Sequence, residues 1–139
     1  MKIQQLFPII LLLITTMSIS CKAEEPVYTI ETTLGNIKVK LYEKTPLHKA
    51  NFEKLVEEKV YDGVLFHRVI EDFMIQTGDP ATKRGAEGTP AEEKDEDRIL
   101  AEIEPEYFHK KGALAAPGLG DLFNPEKKSP PPHFFFSHG

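Results

Sequence analysis

The sequence predicts a mainly β fold with one α-helix, in which short strands form a sandwich or a barrel. Residues 27–42 alternate between apolar and polar side chains, which is typical of half-buried strands. Residues 45–58 change to the period of an amphipathic helix, and the later apolar stretches are short. The length of 139 residues argues for one domain, and contents of 40% hydrophobic and 28% charged residues are ordinary for a globular protein.

The charge and the histidine and cysteine content exclude several classes of function. Lys and Arg number 17 against 22 Asp and Glu, and the net charge of −5 argues against nucleic-acid binding through phosphate contacts. The only cysteine, Cys21, rules out a disulfide within the chain and a cysteine-based metal cluster. The five histidines are too scattered for a metal site, and hydrolase and phosphate-cradling motifs are absent from the sequence. We therefore predict no metal site and no nucleic-acid partner.

The first 20 residues have the layout of an export signal. Lys2 precedes an apolar run at 6–14, and small or polar residues follow at 15–20. The run is too short to span a bilayer, which takes about 20 apolar residues. Residues 1–20 are therefore predicted to be a signal peptide.

Cys21 lies where a bacterial lipoprotein signal places the residue that carries the lipid. It follows the small Ser20 and precedes a polar, acidic stretch. We predict that Cys21 is the lipidated first residue, that residues 21–26 form a tether, and that the protein is anchored in the bacterial cell envelope, facing the periplasm or at the outer membrane. A plain secretory signal, which would give a soluble periplasmic or secreted protein, is the alternative, because Ser18 stands where lipoprotein signals usually carry Leu.

A β-hairpin is predicted over residues 27–42. Residues 33–36 contain the glycine that marks its turn. In the second strand, alternation puts three apolar side chains on the buried face: Ile37, Val39 and Leu41. The hairpin therefore packs one face on the core.

One surface helix follows the hairpin. Thr45 is a suitable N-cap, and Pro46 fits the first turn of a helix. An apolar stripe would face the sheet, and it consists of Phe52, Leu55 and Val56. A turn at 62–63 ends this part of the chain.

Two further strands are predicted at 64–70 and around 74–76. On alternation, Met74 and Gln76 share one face of the second strand. Residues 77–90 are rich in Gly, Pro and Thr and are predicted to be loop, and the charge run at 91–98 is predicted to be solvated. Later apolar pieces would add one or two short strands.

Arg68 is the polar residue that most needs an explanation. Alternation places it between the apolar Phe66 and Ile70 on one strand face, where a guanidinium is costly to bury. One interpretation is an ion pair, or a side chain that reaches the surface. The other is a fixed fork of donors that points into an apolar pocket.

Residues 61–80, "YDGVLFHRVIEDFMIQTGDP", resemble the signature segment of the cyclophilin-type peptidyl-prolyl cis-trans isomerases. The matching positions are Tyr61, Asp62, Gly63, Phe66, His67, Arg68, Val69, Phe73, Met74, Gln76, Gly78 and Asp79. Upstream, "TTLGNIKVKLYEKTPLHKANFEKL" is similar to the first hairpin and helix of the family, and downstream "EIEPEYFHKKGALAA" is similar to the segment before its next strands. The resemblance covers residues 27–116 and marks residues 27–139 as a partial cyclophilin-like isomerase domain.

The resemblance implies an antiparallel β-barrel with flanking helices and a substrate groove on its outer surface. It implies rotation about X–Pro bonds in proline-containing peptides or unfolded exported proteins, without a cofactor, and binding of cyclosporin-like inhibitors. By resemblance the catalytic residues are Arg68 and Gln76, and His67 is mainly structural. By the same resemblance the substrate-binding residues are Phe73, Met74, Phe135 and His133.

The last part of the sequence departs from the family pattern. Pro117 stands where a small groove-lining Ala is expected, and residues 131–133 read Pro-Pro-His where the family has Gly-Ser-Gln. Consecutive prolines lack backbone donors and cannot enter a central strand in the normal way. The family's closing strands and second helix would follow Gly139, so we expect an incomplete barrel with open edges and one flanking helix. Besides an active isomerase, the alternatives are a proline-binding module with impaired catalysis and a non-functional fragment.

Overall fold

The computed structural model describes residues 26–84, 94–118, 120 and 122–139. Within them the elements follow in the order β1 (Val27–Thr32), β2 (Gly35–Lys40), α1 (Pro46–Glu57), β3 (Arg68–Ile70), β4 (Met74–Thr77), β5 (Leu114–Ala115) and β6 (Phe134–Ser137). Short 3₁₀ turns, Pro80–Thr82 and Asp95–Asp97, lie in the connections. The predicted signal peptide, Cys21 and residues 21–25 of the tether lie outside the described residues. No helix within the described ranges is both long enough and apolar enough to cross a membrane.

β1 and β2 form the antiparallel hairpin that the alternation predicts. Val27 pairs with Lys40 at the open end, and the turn occupies residues 33–34. Val39 is buried and Ile37 is half-buried, so the predicted face does point to the core. The second strand ends at Lys40, two residues earlier than predicted.

The other four strands form one antiparallel sheet in the order β3-β4-β6-β5. The fold is therefore mainly β with one helix, as predicted, and the described strands make two separate sheets without a closed barrel. The prediction of a strand over 64–70 is wrong for residues 64–67. There the Leu65 N–H donates to the Thr82 hydroxyl at 3.0 Å, and the Leu65 carbonyl accepts from the Thr77 hydroxyl at 2.9 Å. The two threonine hydroxyls thus form hydrogen bonds with backbone groups that would otherwise pair with a neighbouring strand.

α1 begins where the sequence predicts, but its N-terminal cap is different. The Thr45 hydroxyl donates to the Tyr42 carbonyl at 3.2 Å and does not cap the helix. The N–H groups of Leu47 and His48 instead donate to the two carboxylate oxygens of Glu102, at 2.8 and 2.9 Å. The orphan donors of the first turn are therefore satisfied by a distant acidic residue, which also suits the positive end of the helix dipole.

The buried core joins β2, α1 and β6. Its centre consists of Val39, Phe52, Phe134 and Phe136. The rings of Phe52 and Phe134 meet edge to face with centroids 5.7 Å apart, and those of Phe134 and Phe136 do so at 5.9 Å. The predicted stripe of the helix is thus confirmed at Phe52, whereas Val56 is 41% exposed.

Tyr28 ties the hairpin to the helix. Its hydroxyl donates to Glu53 Oε1 at 2.5 Å, and its ring meets Phe52 edge to face at 5.6 Å. The hydrogen bond to the Glu53 carboxylate, helped by burial, raises the pKa of Tyr28 to about 12. Both contacts hold β1 over α1 although the two elements share no backbone hydrogen bond.

The proline run stays out of the sheet, as its missing donors predict. Ser129 forms an isolated antiparallel bridge with Ile99, residues 131–132 turn, and β6 begins only at Phe134. The Asn51 side-chain amide donates to the Pro131 carbonyl at 2.7 Å, which fixes this turn against α1. β6 can therefore occupy the central position between β4 and β5.

Gly78 gives the turn at 131–132 the space it needs. Its φ of +98° is rarely adopted by residues with a side chain, and a Cβ there would lie 2.0 Å from the Pro132 carbonyl oxygen. The end of β4 and the proline turn therefore meet backbone to backbone.

Candidate functional site

One row of side chains crosses the four-stranded sheet. Arg68 pairs with Gln76, Gln76 pairs with Phe135, and Phe135 pairs with Ala115. Residues directly opposite each other in antiparallel strands point to the same face, so these four side chains line one face of the sheet. We call this set the Arg68 row.

The opposite face of the same sheet packs on the core. Ile75, Phe136 and Leu114 form its middle, and Phe136 is buried in the core centre. Because successive side chains of a strand alternate, burial of this face sets the Arg68 row on the outer face.

Arg68 reaches toward its cross-strand neighbour at the edge of the sheet. Its Nη1 lies 3.4 Å from Gln76 Oε1, which is long for a hydrogen bond. All of β3 is exposed, since β3 is an edge strand with one neighbour. The sequence interpretation of a guanidinium flanked by apolar residues inside a strand is wrong, because Phe66 lies outside β3 and packs on the core. Among the described residues, Arg68 makes no ion pair with a carboxylate.

Phe73 and Met74 lie beside this row but differ in burial. Met74 shares a face with Gln76 in β4 and is only 5% exposed, whereas Phe73 lies in the β3–β4 turn and is 56% exposed. The Phe73 carbonyl accepts a hydrogen bond from the His138 N–H at 2.8 Å, which ties the turn to the end of β6. Of these two predicted substrate-binding residues, Met74 is thus fixed by packing and Phe73 presents its ring to solvent.

His133 is a further predicted site residue that lies outside the Arg68 row. It precedes β6, is half-buried, and its ring lies 5.9 Å from the ring of His67. His67 precedes β3 and is exposed. Neither histidine pairs across the sheet with Gln76 or Phe135.

His109 is a residue near this row that the sequence did not single out. Its ring meets Phe135 edge to face, with centroids 5.4 Å apart and planes at 86°. His109 lies in a connection without regular structure, so the periodicity of the sequence gives no indication of its position. Only the sheet register, which brings Phe135 into the row, reveals the contact.

A second polar cluster lies at the start of α1. The imidazole of His48 contacts Glu102 through Nδ1 at 2.7 Å and the Ser129 hydroxyl through Nε2 at 2.8 Å. Burial raises the pKa of the Glu102 carboxyl, but the hydrogen bonds from the N–H groups of His48 and Leu47 and from the His48 ring outweigh it, and the pKa lies below its ordinary value. Ser129 is 4% exposed, so this cluster joins three segments inside the protein.

The Arg68 row has the groups to bind an amide but not to make a covalent intermediate. A guanidinium supplies a planar set of donors, Gln76 supplies a donor and an acceptor, and Phe135 supplies an apolar ring. Within the described ranges no three His, Cys, Asp or Glu side chains are placed to hold a metal ion.

Comparison with known proteins identifies relatives of this chain. A relative from Schizosaccharomyces pombe, the peptidyl-prolyl cis-trans isomerase ppi1, is 52% identical over 61 residues, which are 43% of this chain and 39% of that protein. The Arabidopsis thaliana isomerase CYP18-2 is 40% identical over 89 residues, 63% of this chain and 54% of that protein. A peptidyl-prolyl cis-trans isomerase of Acinetobacter baylyi is 44% identical over 68 residues, 48% of this chain and 36% of that protein. The chain thus spans about half or less of the length of these relatives.

Similarity of structure and a family model agree with these relatives. The crystal structure of a Cryptosporidium parvum cyclophilin-type isomerase in the presence of the dipeptide Ala-Pro matches with a TM-score of 0.66 and 25% identity, over 82% of this chain and 68% of that one. The model of the family "Cyclophilin type peptidyl-prolyl cis-trans isomerase/CLD" matches residues 27–139. The match extends over most of the chain and includes the Arg68 row, and the chain belongs to the cyclophilin-type peptidyl-prolyl cis-trans isomerase family.

Proposed function

We propose that this chain catalyses cis–trans isomerisation of X–Pro bonds in peptides and unfolded exported proteins. The observation that carries the proposal is the Arg68 row, in which the guanidinium, the Gln76 amide and the Phe135 ring share the outer face of one sheet. Membership of an isomerase family supports the same reaction.

Catalysis of this reaction requires stabilisation of a twisted amide. Rotation about a peptide bond has a barrier of about 18–20 kcal/mol, because the C–N bond has partial double-bond character. At the twisted state the prolyl nitrogen loses its conjugation and becomes a better hydrogen-bond acceptor. A guanidinium donor held against that nitrogen stabilises the twisted state more than the planar states, which is what lowers the barrier.

Each residue of the site has its own role in this stabilisation. Arg68 donates to the prolyl nitrogen, and Gln76 orients the guanidinium through the 3.4 Å contact while it binds the substrate backbone. Phe135 and Met74 receive the proline ring, and Phe73 closes over it from the turn. No proton is transferred and no bond is broken, so these residues need no cofactor.

The proposed substrate class is supported by a relative and by the Phe135 ring of the Arg68 row. The Cryptosporidium parvum relative was crystallised in the presence of the dipeptide Ala-Pro. We extend this to X–Pro peptides as substrates of this chain, and to cyclosporin-like inhibitors as competitors for the same face.

The test is an isomerisation assay on a short Ala-Pro peptide, followed by NMR exchange between its cis and trans signals. The unchanged chain should speed the exchange, and Arg68→Ala should abolish the acceleration while the proline peptide still shifts signals of the chain. An unchanged chain that binds the peptide without any acceleration would refute the isomerase proposal.

A second candidate function is proline recognition without turnover. The exposure of Arg68 and of the Phe73 ring favours it, because an exposed guanidinium is solvated and stabilises a twisted amide less. In that case both the unchanged chain and Arg68→Ala would bind the peptide, and neither would accelerate exchange.

We also propose that the protein is exported and held in the bacterial cell envelope by a lipid on Cys21. The support is the sequence of residues 1–26 alone. Mass spectrometry of the protein purified from a bacterial membrane should find a lipid-modified Cys21 at the N-terminus. Cys21→Ser should release the protein from the membrane, and an unmodified Cys21 would refute the anchor.

A further inference from the structure

The three consecutive prolines at 130–132, which we call the triproline segment, stand between two fixed points of the fold. Just before them, Ser129 exchanges two backbone hydrogen bonds with Ile99, at 2.9 and 3.0 Å. Just after them, β6 begins with Phe134, which is 7% exposed and lies in the core centre. The path of the chain between these two points therefore decides whether β6 reaches its place in the sheet.

Two contacts hold the triproline segment itself in place. The Asn51 side-chain amide donates to the Pro131 carbonyl at 2.7 Å. The Gly78 backbone lies so close to the Pro132 carbonyl oxygen that a Cβ on Gly78 would meet it at 2.0 Å. All three prolines are half-buried, so little room is left for a different path through this segment.

This path requires three trans bonds in succession. Among the described residues every peptide bond is trans, including the bonds that precede Pro130, Pro131 and Pro132. In an unfolded chain each X–Pro bond is cis in about 10–30% of molecules, so about a quarter to two thirds of unfolded molecules carry at least one cis bond in this segment. A cis bond shortens the distance between neighbouring Cα atoms from about 3.8 to about 2.9 Å, which the contacts at Asn51 and Gly78 do not accommodate.

A cis bond in the triproline segment also prevents formation of the candidate isomerase site. β6 carries Phe135 of the Arg68 row and lies between β4 and β5 in the sheet. Because only one residue separates the triproline segment from β6, a molecule with a cis bond there has no docked β6 and no complete row. Such a molecule does not correct the bond with its own site, so the correction requires a folded copy.

The sequence around the prolines suits the face that would act on it. The Arg68 row lies on the outer face of its sheet, opposite the face that packs on the core. Residues 129–137 contain no Asp, Glu, Lys or Arg, with a small serine before the prolines and aromatic side chains after them. Binding of this segment over the Phe135 ring therefore removes no substrate charge from water.

We propose that folded copies of this protein act on unfolded copies of the same chain and isomerise the bonds that precede Pro130, Pro131 and Pro132. The protein then accelerates its own refolding, and the reaction takes place between two molecules. This inference rests on the proposed isomerase function and names one substrate for it. No bond is formed or broken, since the only change is rotation about C–N bonds.

Double-jump refolding tests whether prolines cause a slow phase. The full chain is unfolded in urea for about two seconds or for about an hour, refolded by dilution and followed by far-UV circular dichroism. Uncatalysed proline isomerisation takes about 10–100 s at 25 °C, so only the long unfolding pulse should give a slow refolding phase on that timescale. An equal slow phase after both pulses, or none after either, would overturn the inference.

Two matched variants test whether this slow phase comes from the triproline segment. Pro130→Ala removes one X–Pro bond from the segment, and Pro125→Ala removes one from an exposed turn. We expect Pro130→Ala to lower the amplitude of the slow phase by about a quarter and Pro125→Ala to leave it unchanged, because an exposed turn tolerates either isomer. Equal amplitudes in the two variants would overturn the inference.

The decisive measurement adds folded protein to refolding protein. Increasing concentrations of the folded, unchanged chain should raise the rate constant of the slow phase in proportion, by about threefold or more at the highest concentration. Folded Arg68→Ala at the same concentrations is the control and should leave this rate constant unchanged. A rate constant that is independent of the folded chain, or that rises equally with Arg68→Ala, would overturn the inference.

The same protein samples are also assayed on a short Ala-Pro peptide, which separates this inference from the proposed function. Faster exchange of the peptide together with an unchanged slow phase of refolding would overturn this inference and leave the proposed function standing. No acceleration of either reaction would overturn both.

Discussion

His109 and Phe135 meet edge to face, with ring centroids 5.4 Å apart, and Phe135 belongs to the row that also holds Arg68 and Gln76. An aromatic contact of this geometry is worth about 0.5–1.5 kcal/mol beyond the buried area. It holds Phe135 in place on the face where the proline ring is proposed to bind. His109 therefore supports the shape of the site without reaching the guanidinium.

We expect His109→Ala to raise KM for an Ala-Pro peptide about threefold to tenfold, because Phe135 loses its edge-to-face partner. The value of kcat should change less, and His109→Phe should restore most of KM. Steady-state isomerisation rates at several peptide concentrations measure both. The neighbouring Lys110→Ala is the control, and an equal rise in its KM would contradict the role given to the ring of His109.

Replacement of Arg68 by lysine tests the geometry of the donor separately from its charge. Lysine keeps the positive charge but lacks the planar fork that can contact Gln76 and the prolyl nitrogen together. We expect Arg68→Lys to lower kcat/KM for isomerisation about 100-fold or more, the scale seen when a preorganised donor is removed. If Arg68→Lys retains full activity, charge alone suffices and the role of Gln76 as an orienting residue fails.

Gly78 and Gly63 form a matched pair for a test of stability. Both have positive φ, but a Cβ at Gly78 would meet the Pro132 carbonyl at 2.0 Å, whereas a Cβ at Gly63 would meet nothing within 4 Å. We expect Gly63→Ala to cost about 1 kcal/mol from backbone strain alone, and Gly78→Ala to cost about 3 kcal/mol or more. Urea unfolding followed by circular dichroism measures both, and equal losses would show that the proline turn moves away from Gly78 at little cost.

The pH dependence of stability should contain a contribution from Glu102. Because the pKa of this carboxyl is lower in the folded state, folding favours its ionised form. The contribution is therefore present above the ordinary pKa of 4.5 and is lost as pH falls below it. We expect Glu102→Gln to lower the free energy of unfolding by about 1–3 kcal/mol at pH 7, through weaker bonds to the Leu47 and His48 N–H groups.

The same variant should approach the unchanged chain in stability as the pH falls from 4.5 toward 3. Urea titrations at several pH values give the difference. Glu104→Gln is the control, because its side chain makes no hydrogen bond among the described residues. A constant difference between Glu102→Gln and the unchanged chain across this range would contradict the proton linkage.

The elements that the sequence predicts best are those in which the spacing of apolar residues shows which face is buried. The hairpin and α1 are found at the predicted places because alternation and the helical stripe directly reflect which face packs on Phe52 and Val39. The run at 64–70 has the same apolar character, but tertiary hydrogen bonds of Leu65 to Thr77 and Thr82 stop it from being a strand before Arg68. The spacing of apolar residues in the sequence gives no information about such tertiary hydrogen bonds.

The candidate site likewise contains features that the sequence predicts and features that it does not. The resemblance named Arg68, Gln76 and Phe135, and the sheet register does place them in one row. The exposure of Arg68 was not predictable from its neighbours in the sequence, because this exposure depends on β3 being an edge strand. His109 was not predictable either, because its contact with Phe135 joins a connection to a strand 26 positions away.

The cap that Glu102 provides to α1 also sets an order for folding. The first turn of the helix has no local cap, so its donors are satisfied only after a loop of more than 50 residues has closed. Closure of such a loop costs conformational entropy before any contact repays it. α1 is therefore expected to fray at its start in the transition state for folding and to become complete only when the segment around Glu102 docks, so substitutions at Glu102 should accelerate unfolding rather than slow folding.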